Sequence, residues 1–287
     1  MDDDGNADGS VTVSDHGPVR LLTIDRPRRR NALTPDLVTQ LSEQIEAAGR
    51  DPAVGAIVLA GAGGHFCAGG DAQAIVEVIG AGSQQAAIAF MRRFQRVVDA
   101  LWTSDLPVVA AVSGVAYGGG FNLALACDLI IASADARFCQ VFLRRGLIPD
   151  LGGGYLLPRL VGVQRAKELM LRTREIGAVE AREMGLVSIV SADPDAALAE
   201  ALSAGAELAA RPRLAVALTK RLINSTTAGS LQSALEQEAL SQAAALSTPE
   251  AADGFAAFTR GRPQPSGPER TAGEKHHHDG EDDESRG

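Results

Sequence analysis

The chain has 287 residues, enough for one large domain or two modest ones, and its 45% hydrophobic and 22% charged residues give an ordinary globular composition with a sizeable core. Aromatic residues are only 4%, so that core is built from Ala, Val, Leu and Ile. The formal net charge of −9 sits in the tails: residues 1–10 hold four Asp and no base, residues 269–287 hold seven acids and three bases, and the body between is left near −1.

No part of the body is rich in Lys and Arg together with aromatics, which argues against nucleic acid as a partner. The start, MDDDGNADGS, lacks the basic residues and apolar run of a signal peptide. No apolar run nears the roughly 20 residues that span a bilayer. A cytoplasmic protein with no membrane partner is expected. Cys67, Cys127 and Cys139 are widely spaced and form no ligand cluster, so reduced thiols and no metal site are expected.

Along the chain, residues 1–10 and about 263–287 read as disordered acidic tails, and the HHH at 276–278 as solvated histidines rather than metal ligands. VTVSDHGPVRLLTIDRP (11–27) predicts a two-stranded hairpin with Gly17 and Pro18 near its turn. Thr34 then caps a helix with Pro35 at its first position, running through LVTQLSEQIEAAGRD. GAIVLAGAG (55–63) is a buried strand, and residues 84–104 form a long amphipathic helix. PVVAAVSGVA (107–116) and CDLIIASADARF (127–138) are two further buried strands. From residue 164 onward the segments are helical, near 164–172, 178–184, 194–211, 212–225, 229–246 and 249–260. Apolar strands alternating with helices indicate an α/β fold with a covered, largely parallel sheet. The expected organisation is an α/β core over 11–200 and a helical C-terminal region over 201–262.

Two of the strands lead into glycine-rich turns: GHFCAGGDAQAI (64–75) and YGGGFNLALACDL (117–129). Glycine lets backbone approach a ligand closely, and a helix start offers unpaired N–H groups. Two such turns can aim two donors at one oxygen, the geometry of an oxyanion hole. Neither turn is a dinucleotide or phosphate-loop fingerprint. A third segment, QVFLRRGLIPDLGGGYLLPRL (140–160), holds one carboxylate, Asp150, among apolar residues and glycines. By local chemistry alone it reads as a turn or capping Asp.

DRPRRRNAL (25–33), HFCAGGD (65–71), VSGVAYGGGFNLALACDLIIAS (112–133) and GLIPDLGGGYLLPRLVG (146–162) resemble, in order and spacing, the crotonase family, also called the enoyl-CoA hydratase/isomerase superfamily. The resemblance runs from about residue 11 to about 262. It implies a crotonase-like ββα spiral whose helical C-terminal region forms trimers, often paired into hexamers. It implies an acyl-CoA thioester as substrate, with coenzyme A part of the substrate and no separate cofactor. Its two backbone donors fall on Ala68 and Gly119, flanked by Gly69, Gly70 and Gly118. Arg28, in the run Arg26, Arg28, Arg29 and Arg30, falls where the family brings chain near the CoA phosphates. Asp71 falls in the substrate-binding turn as a cap rather than a catalyst. Phe258, in EAADGFAAFTRGRP (250–263), matches an apolar contact on the adenine side. Where the family often has Lys, this chain has Gly261 between Arg260 and Arg262.

The family's hydratases add water with two Glu residues, and this chain has Asn122 and Phe142 at those positions. Neither can move a proton to or from water, so hydration is not expected. Asp150 instead falls where single-carboxylate isomerases of the family carry their base. The resemblance therefore implies a 3-enoyl to 2-enoyl double-bond shift, with Asp150 taking a proton from C2 and returning it to C4. Phe142, Leu143, Leu147, Ile148 and Leu151 are expected to desolvate that carboxylate and raise its pKa. Rival readings are a non-catalytic acyl-CoA binder, a less favoured thioester hydrolase or dehalogenase using Asp150 as nucleophile with His65 nearby, and, third, a hydratase working through another group. Phe90, Phe94 and Trp102 are candidates for the acyl pocket wall.

Overall fold

Residues 9–226 and 229–261 are described by the computed structural model. The elements in chain order are β1 (Ser10–His16), β2 (Val19–Asp25), α1 (Pro35–Arg50), β3 (Ala56–Gly61), α2 (Ala72–Gly80), α3 (Gln84–Thr103), β4 (Val108–Val112), β5 (Val115–Tyr117), α4 (Gly119–Leu125), β6 (Leu129–Ser133), β7 (Arg137–Cys139), α5 (Gly153–Val161), α6 (Val163–Arg172), β8 (Glu175–Gly177), α7 (Ala178–Glu183), β9 (Ile189–Ser191), α8 (Pro194–Ala209), α9 (Arg213–Thr226), α10 (Leu231–Leu246) and α11 (Pro249–Thr259). The hairpin and the first helix form as the sequence predicts. β1 pairs antiparallel with β2, and the Thr34 hydroxyl accepts the Leu37 N–H with Pro35 at the first helical position.

The main sheet has the order β1-β2-β3-β4-β6-β9, and every pairing after the hairpin is parallel. Both faces are covered, and the period-2 alternation of strands shows which residue faces which layer. Ala56, Val58 and Ala60 of β3 join Val109, Ala111 and Ile131 in one cluster, packed under Ala197 and Ala201 of α8. Ile57 and Leu59 point the other way, into the larger core with Leu37, Leu41 and Ile45 of α1 and Val97 and Leu101 of α3. Small residues let α8 lie close to the sheet: a Cβ on Gly205 would sit 3.1 Å from Val19 Cγ1.

A second sheet, β5-β7-β8, pairs β5 with β7 in parallel and β7 with β8 antiparallel. It corrects the sequence reading in two places. The apolar runs at 107–116 and 127–138 each read as one strand, but each is cut into two. Gly114, at φ +52°, turns the chain between β4 and β5, and a turn over 134–136 separates β6 from β7. Each run thus supplies one strand to each sheet. The reading also gave only helices after residue 164, whereas β8 and β9 are strands of three residues each.

The chain divides into two compact units, Met1–Ala245 and Leu246–Gly287. The boundary expected near residue 200 falls inside α8, which packs on the main sheet. In the first unit, Lys220 of α9 is buried and donates to the carbonyls of Leu101 (2.9 Å) and Leu106 (3.1 Å) and to Asp128 (2.8 Å). That buried cation ties α9 to the loop between α3 and β4. In the second unit, Thr248 caps α11. The sequence expectations for residues 1–8 and 262–287, including the acidic tails, Arg262 and the HHH, lie outside the described residues.

Candidate active site

The first glycine turn leaves β3 and runs between two neighbours. On one side Phe66 N–H donates to Ser113 O (2.8 Å), Cys67 N–H to Val115 O (3.0 Å), and Tyr117 N–H to Cys67 O (2.9 Å). On the other, Leu33 N–H donates to Gly69 O and Asp71 N–H to Leu33 O, both at 2.8 Å. This makes a parallel bridge between Leu33 and Gly70. In such a bridge the central residue turns its own N–H away from the partner. The Gly70 N–H accordingly points off this ladder and has no backbone acceptor among the described residues.

The Ala68 N–H, in contrast, donates to Arg30 O at 2.9 Å. The assignment of Ala68 as an oxyanion donor is therefore corrected: its hydrogen is already used, and the open donor of this turn is Gly70. Spacing along the turn does not separate the two, because residues 68 and 70 share one side of an extended segment; the Arg30 carbonyl is what decides it.

The second turn supplies Gly119, the first residue of α4, whose N–H has no acceptor within the helix. Gly118 precedes it at φ +52°. The two turns touch. A Cβ on Gly69 would lie 2.8 Å from Tyr117 O and 3.3 Å from Gly119 N, and one on Gly120 only 2.2 Å from Cys67 O. Glycine at 69 and 120 is what lets the two donors approach each other. Cys67 is buried beneath this contact, and burial pushes its thiol pKa up to about 12. Cys127 and Cys139 are also free and buried, with raised pKa values.

Asp150 arrives from a third loop. A Cβ on Gly119 would sit 3.7 Å from Asp150 Oδ1 and 3.0 Å from Leu151 Cδ1, so the carboxyl group lies beside Gly119. Oδ1 is buried and has no hydrogen-bond partner among the described residues. Burial raises the Asp150 pKa to about 6, only partly offset by its own backbone N–H. The apolar shell differs from the one expected. Leu151 and Phe142 are buried, but Leu143, Leu147 and Ile148 are exposed. Phe142 packs behind the second turn, its Cζ 3.5 Å from where a Gly118 Cβ would be. The loop is held in an unusual shape: Leu151 adopts φ +44°, rare for a residue with a branched side chain, and Gly152 φ +76°.

Several expected substrate contacts are engaged elsewhere. Asn122 is fully buried; its Nδ2 donates to Asp150 O (2.8 Å) and its Oδ1 accepts from Gln140 Nε2 (2.7 Å). Asp71 caps α2 through the Gln73 and Ala74 N–H groups and pairs with Arg26 at 2.6 Å. Asp71 is thus the cap the sequence implied, and Asn122 belongs to the frame. Arg28 is exposed on the 3-10 turn Pro27–Arg29, as are Arg29 and Arg30. Phe258 lies on α11 in the second unit and is exposed, as is Phe255, so neither is a core residue. Phe94 is a core residue stacked on Phe90 (4.5 Å), and Trp102 meets Tyr155 edge-on (6.1 Å). His65 Nδ1 accepts the Val115 N–H.

Two framing residues were not singled out from the sequence. Gln140 is one. The other is Asn31, at φ +57°, whose side chain takes the Arg26 N–H and donates to Ala62 O and His65 O. An Asn beside a basic turn is a weak signal, because Asn is common in left-handed backbone anywhere. Among the described residues no cluster of three or more His, Cys, Asp or Glu is placed to hold a metal ion.

The profile of the Enoyl-CoA hydratase/isomerase family matches residues 15–265. The chain belongs to the enoyl-CoA hydratase/isomerase family. A protein of Rhizobium meliloti (strain 1021) named "Probable enoyl-CoA hydratase" is 38% identical over 254 residues, covering 88% of this chain and 96% of its own. The 1,2-epoxyphenylacetyl-CoA isomerase of Escherichia coli (strain K12) is 35% identical over 242 residues, covering 84% of this chain and 91% of its own. The crystal structure of an enoyl-CoA hydratase/isomerase from Cupriavidus metallidurans CH34 superposes with a TM-score of 0.85 at 33% identity, over 91% of this chain and 98% of that one. The α/β architecture described above is therefore the crotonase fold, and the family is one of acyl-CoA enzymes.

Proposed function

We propose that this family member is an enoyl-CoA isomerase that shifts a double bond from the 3- to the 2-position, with Asp150 as the single shuttling base. The supporting observation is the Asp150 carboxyl group: buried, unpartnered at Oδ1 among the described residues, and beside Gly119. The thioester oxygen accepts from the Gly70 and Gly119 N–H groups. Asp150, ionised above about pH 6, takes a proton from C2. The resulting dienolate carries its charge on the oxygen held by the two donors. The protonated Asp150 then delivers the proton to C4. A carboxyl group with a pKa near 6 gains and loses a proton with little penalty in either direction.

Hydration requires an acid–base pair around a water. Asn122 is consumed by hydrogen bonds inside the frame, and Phe142 presents a buried ring. The hydratase name of the Rhizobium relative favours the opposite reading, and the isomerase name of the Escherichia coli relative agrees in class though not in substrate. The nucleophile reading is disfavoured because His65, the histidine within the site motifs, accepts the Val115 N–H at Nδ1.

The test is incubation with a medium-chain 3-enoyl-CoA, with Asp150→Asn beside the wild type, and chromatographic separation of products. Conversion to 2-enoyl-CoA by the wild type alone is the expected result. A 3-hydroxyacyl-CoA product from the wild type would mean hydration. Tight binding with no turnover by either protein would mean a non-catalytic binder.

A further inference from the structure

Asp150 is held by something other than its own side chain, and the residue that holds it stands where hydratases of this fold carry a glutamate. The Asp150 carbonyl oxygen accepts two hydrogen bonds, from the Gly153 N–H (2.8 Å) and from Asn122 Nδ2 (2.8 Å). Asn122 lies on α4, three residues after Gly119, the helix whose first N–H is an oxyanion donor. One side chain thus connects the donor helix to the base loop. That loop needs holding, because the next residue, Leu151, sits at φ +44°.

The orientation of Asn122 is fixed by chemistry rather than by packing alone. A carbonyl oxygen on one side demands the NH2 end, so Oδ1 must face Gln140, and Gln140 must answer with its own NH2. Gln140 Oε1 is thereby left buried without a partner among the described residues. A buried orphan oxygen is a standing cost, which a passive core would avoid by substitution. Gly153 completes the clamp: a Cβ there would fall 2.4 Å from both Nδ2 and Oδ1 of Asn122. Only glycine lets the amide lie flat against this backbone.

We infer that Asn122, oriented by Gln140 and seated on Gly153, is a positioning residue that sets the register of the Asp150 carboxylate against the Gly119 donor. This rests on Asp150 acting as the base. The position therefore has a role in a one-carboxylate enzyme different from that of an acid–base glutamate. A carboxylate at 122 would point a negative charge at the Asp150 carbonyl and release the clamp.

The experiment measures wild type, Asn122→Ala, Gly153→Ala, the Asn122→Ala/Gly153→Ala double variant and Asp150→Asn. The readouts are kcat and KM for 3-enoyl-CoA and, independently, exchange of the C2 protons of a saturated acyl-CoA with deuterated solvent. Asn122→Ala is expected to lower kcat and the exchange rate together by about 10- to 100-fold, with KM within about threefold. Gly153→Ala is expected to reproduce that loss by displacing the Asn122 amide, with Asn122 itself unsubstituted. In the Asn122→Ala background the Gly153→Ala change is expected to cost nothing further, because the new methyl group enters space the amide has left. Additive losses, or an Asn122→Ala variant with wild-type kcat and exchange, would overturn the inference while leaving Asp150 as the base. Loss of KM and kcat in equal measure would also overturn it, indicating a merely structural role. Isomerisation or exchange that survives Asp150→Asn would remove the base and the inference with it.

Discussion

Asp71 and Asp150 both sit beside glycine-rich turns, yet their surroundings differ in every respect that matters. Asp71 caps α2 with two N–H bonds and pairs with Arg26 at 2.6 Å. Burial pushes its pKa up, but the Arg26 hydrogen bond and the Ala74 and Gln73 N–H groups together outweigh it and hold the group ionised. Asp150 has the burial without the partners, and its pKa rises to about 6. The first carboxylate is saturated and silent; the second has an oxygen free for a substrate hydrogen. The difference lies in the partners each carboxylate has, and not in residue type or local glycine content.

The largest effect that tests this contrast is on turnover. Asp150→Asn should lower isomerisation by about 10² to 10⁴-fold, the usual span for removing a general base. Asp71→Asn should leave turnover of the folded enzyme within a few-fold. Equal losses in the two variants would erase the distinction.

Next in size is stability. Asp71→Ala removes the carboxylate that pairs with Arg26 and the α2 cap, so a loss of about 2 kcal/mol is expected in denaturant unfolding. Asp150→Asn should act in the opposite direction. A carboxyl group whose folded pKa is raised stabilises the folded state at low pH and loses that contribution as pH rises through about 6. At pH 8 the Asn variant should therefore be more stable than wild type by at most about 3 kcal/mol, an advantage that vanishes toward pH 4. A variant equally stable at both pH values would mean that the carboxyl group is not desolvated.

The smallest effect is the pH profile. Wild-type kcat/KM should fall about tenfold per pH unit below about 6, as the base becomes protonated. For Asp71 the sign is reversed: a lowered pKa contributes stability above the ordinary carboxylate range, lost only as pH falls through it. An activity limb near pH 4 instead of 6 would place the two groups in one class.

Much of the frame was legible in the sequence, and the reasons are local. Thr34 and Pro35 mark the start of α1 by chemistry that needs no tertiary context. The hairpin and the apolar runs of β3, β4 and β6 declare buried strands by composition. The strands β8 and β9 did not, because three residues are too few to show a period. The cuts between β4 and β5 and between β6 and β7 fall inside runs that stay apolar on both sides, since both sheets are buried.

At the site, Asp150 and Gly119 could be placed by motif, and the structure brings them together. Gly70 was obscured because donor identity depends on which way an N–H points, fixed here by the Leu33 bridge. Asn122 was visible only as a missing acid; its bonds to Asp150 and Gln140 join residues 28 and 18 positions away, beyond any local pattern.

The buried thiol under the first turn has a practical consequence. Thiolate, not thiol, is the form that oxidants and alkylating reagents attack, and with a pKa near 12 Cys67 is almost never in that form. Cys127 and Cys139 are likewise buried. A mixed disulfide at Cys67 would wedge the two glycine turns apart, since a Cβ on Gly120 would already lie 2.8 Å from Cys67 Cβ. The turn is thus insulated from the redox state around it, and activity should survive prolonged exposure to oxidised glutathione without added reductant.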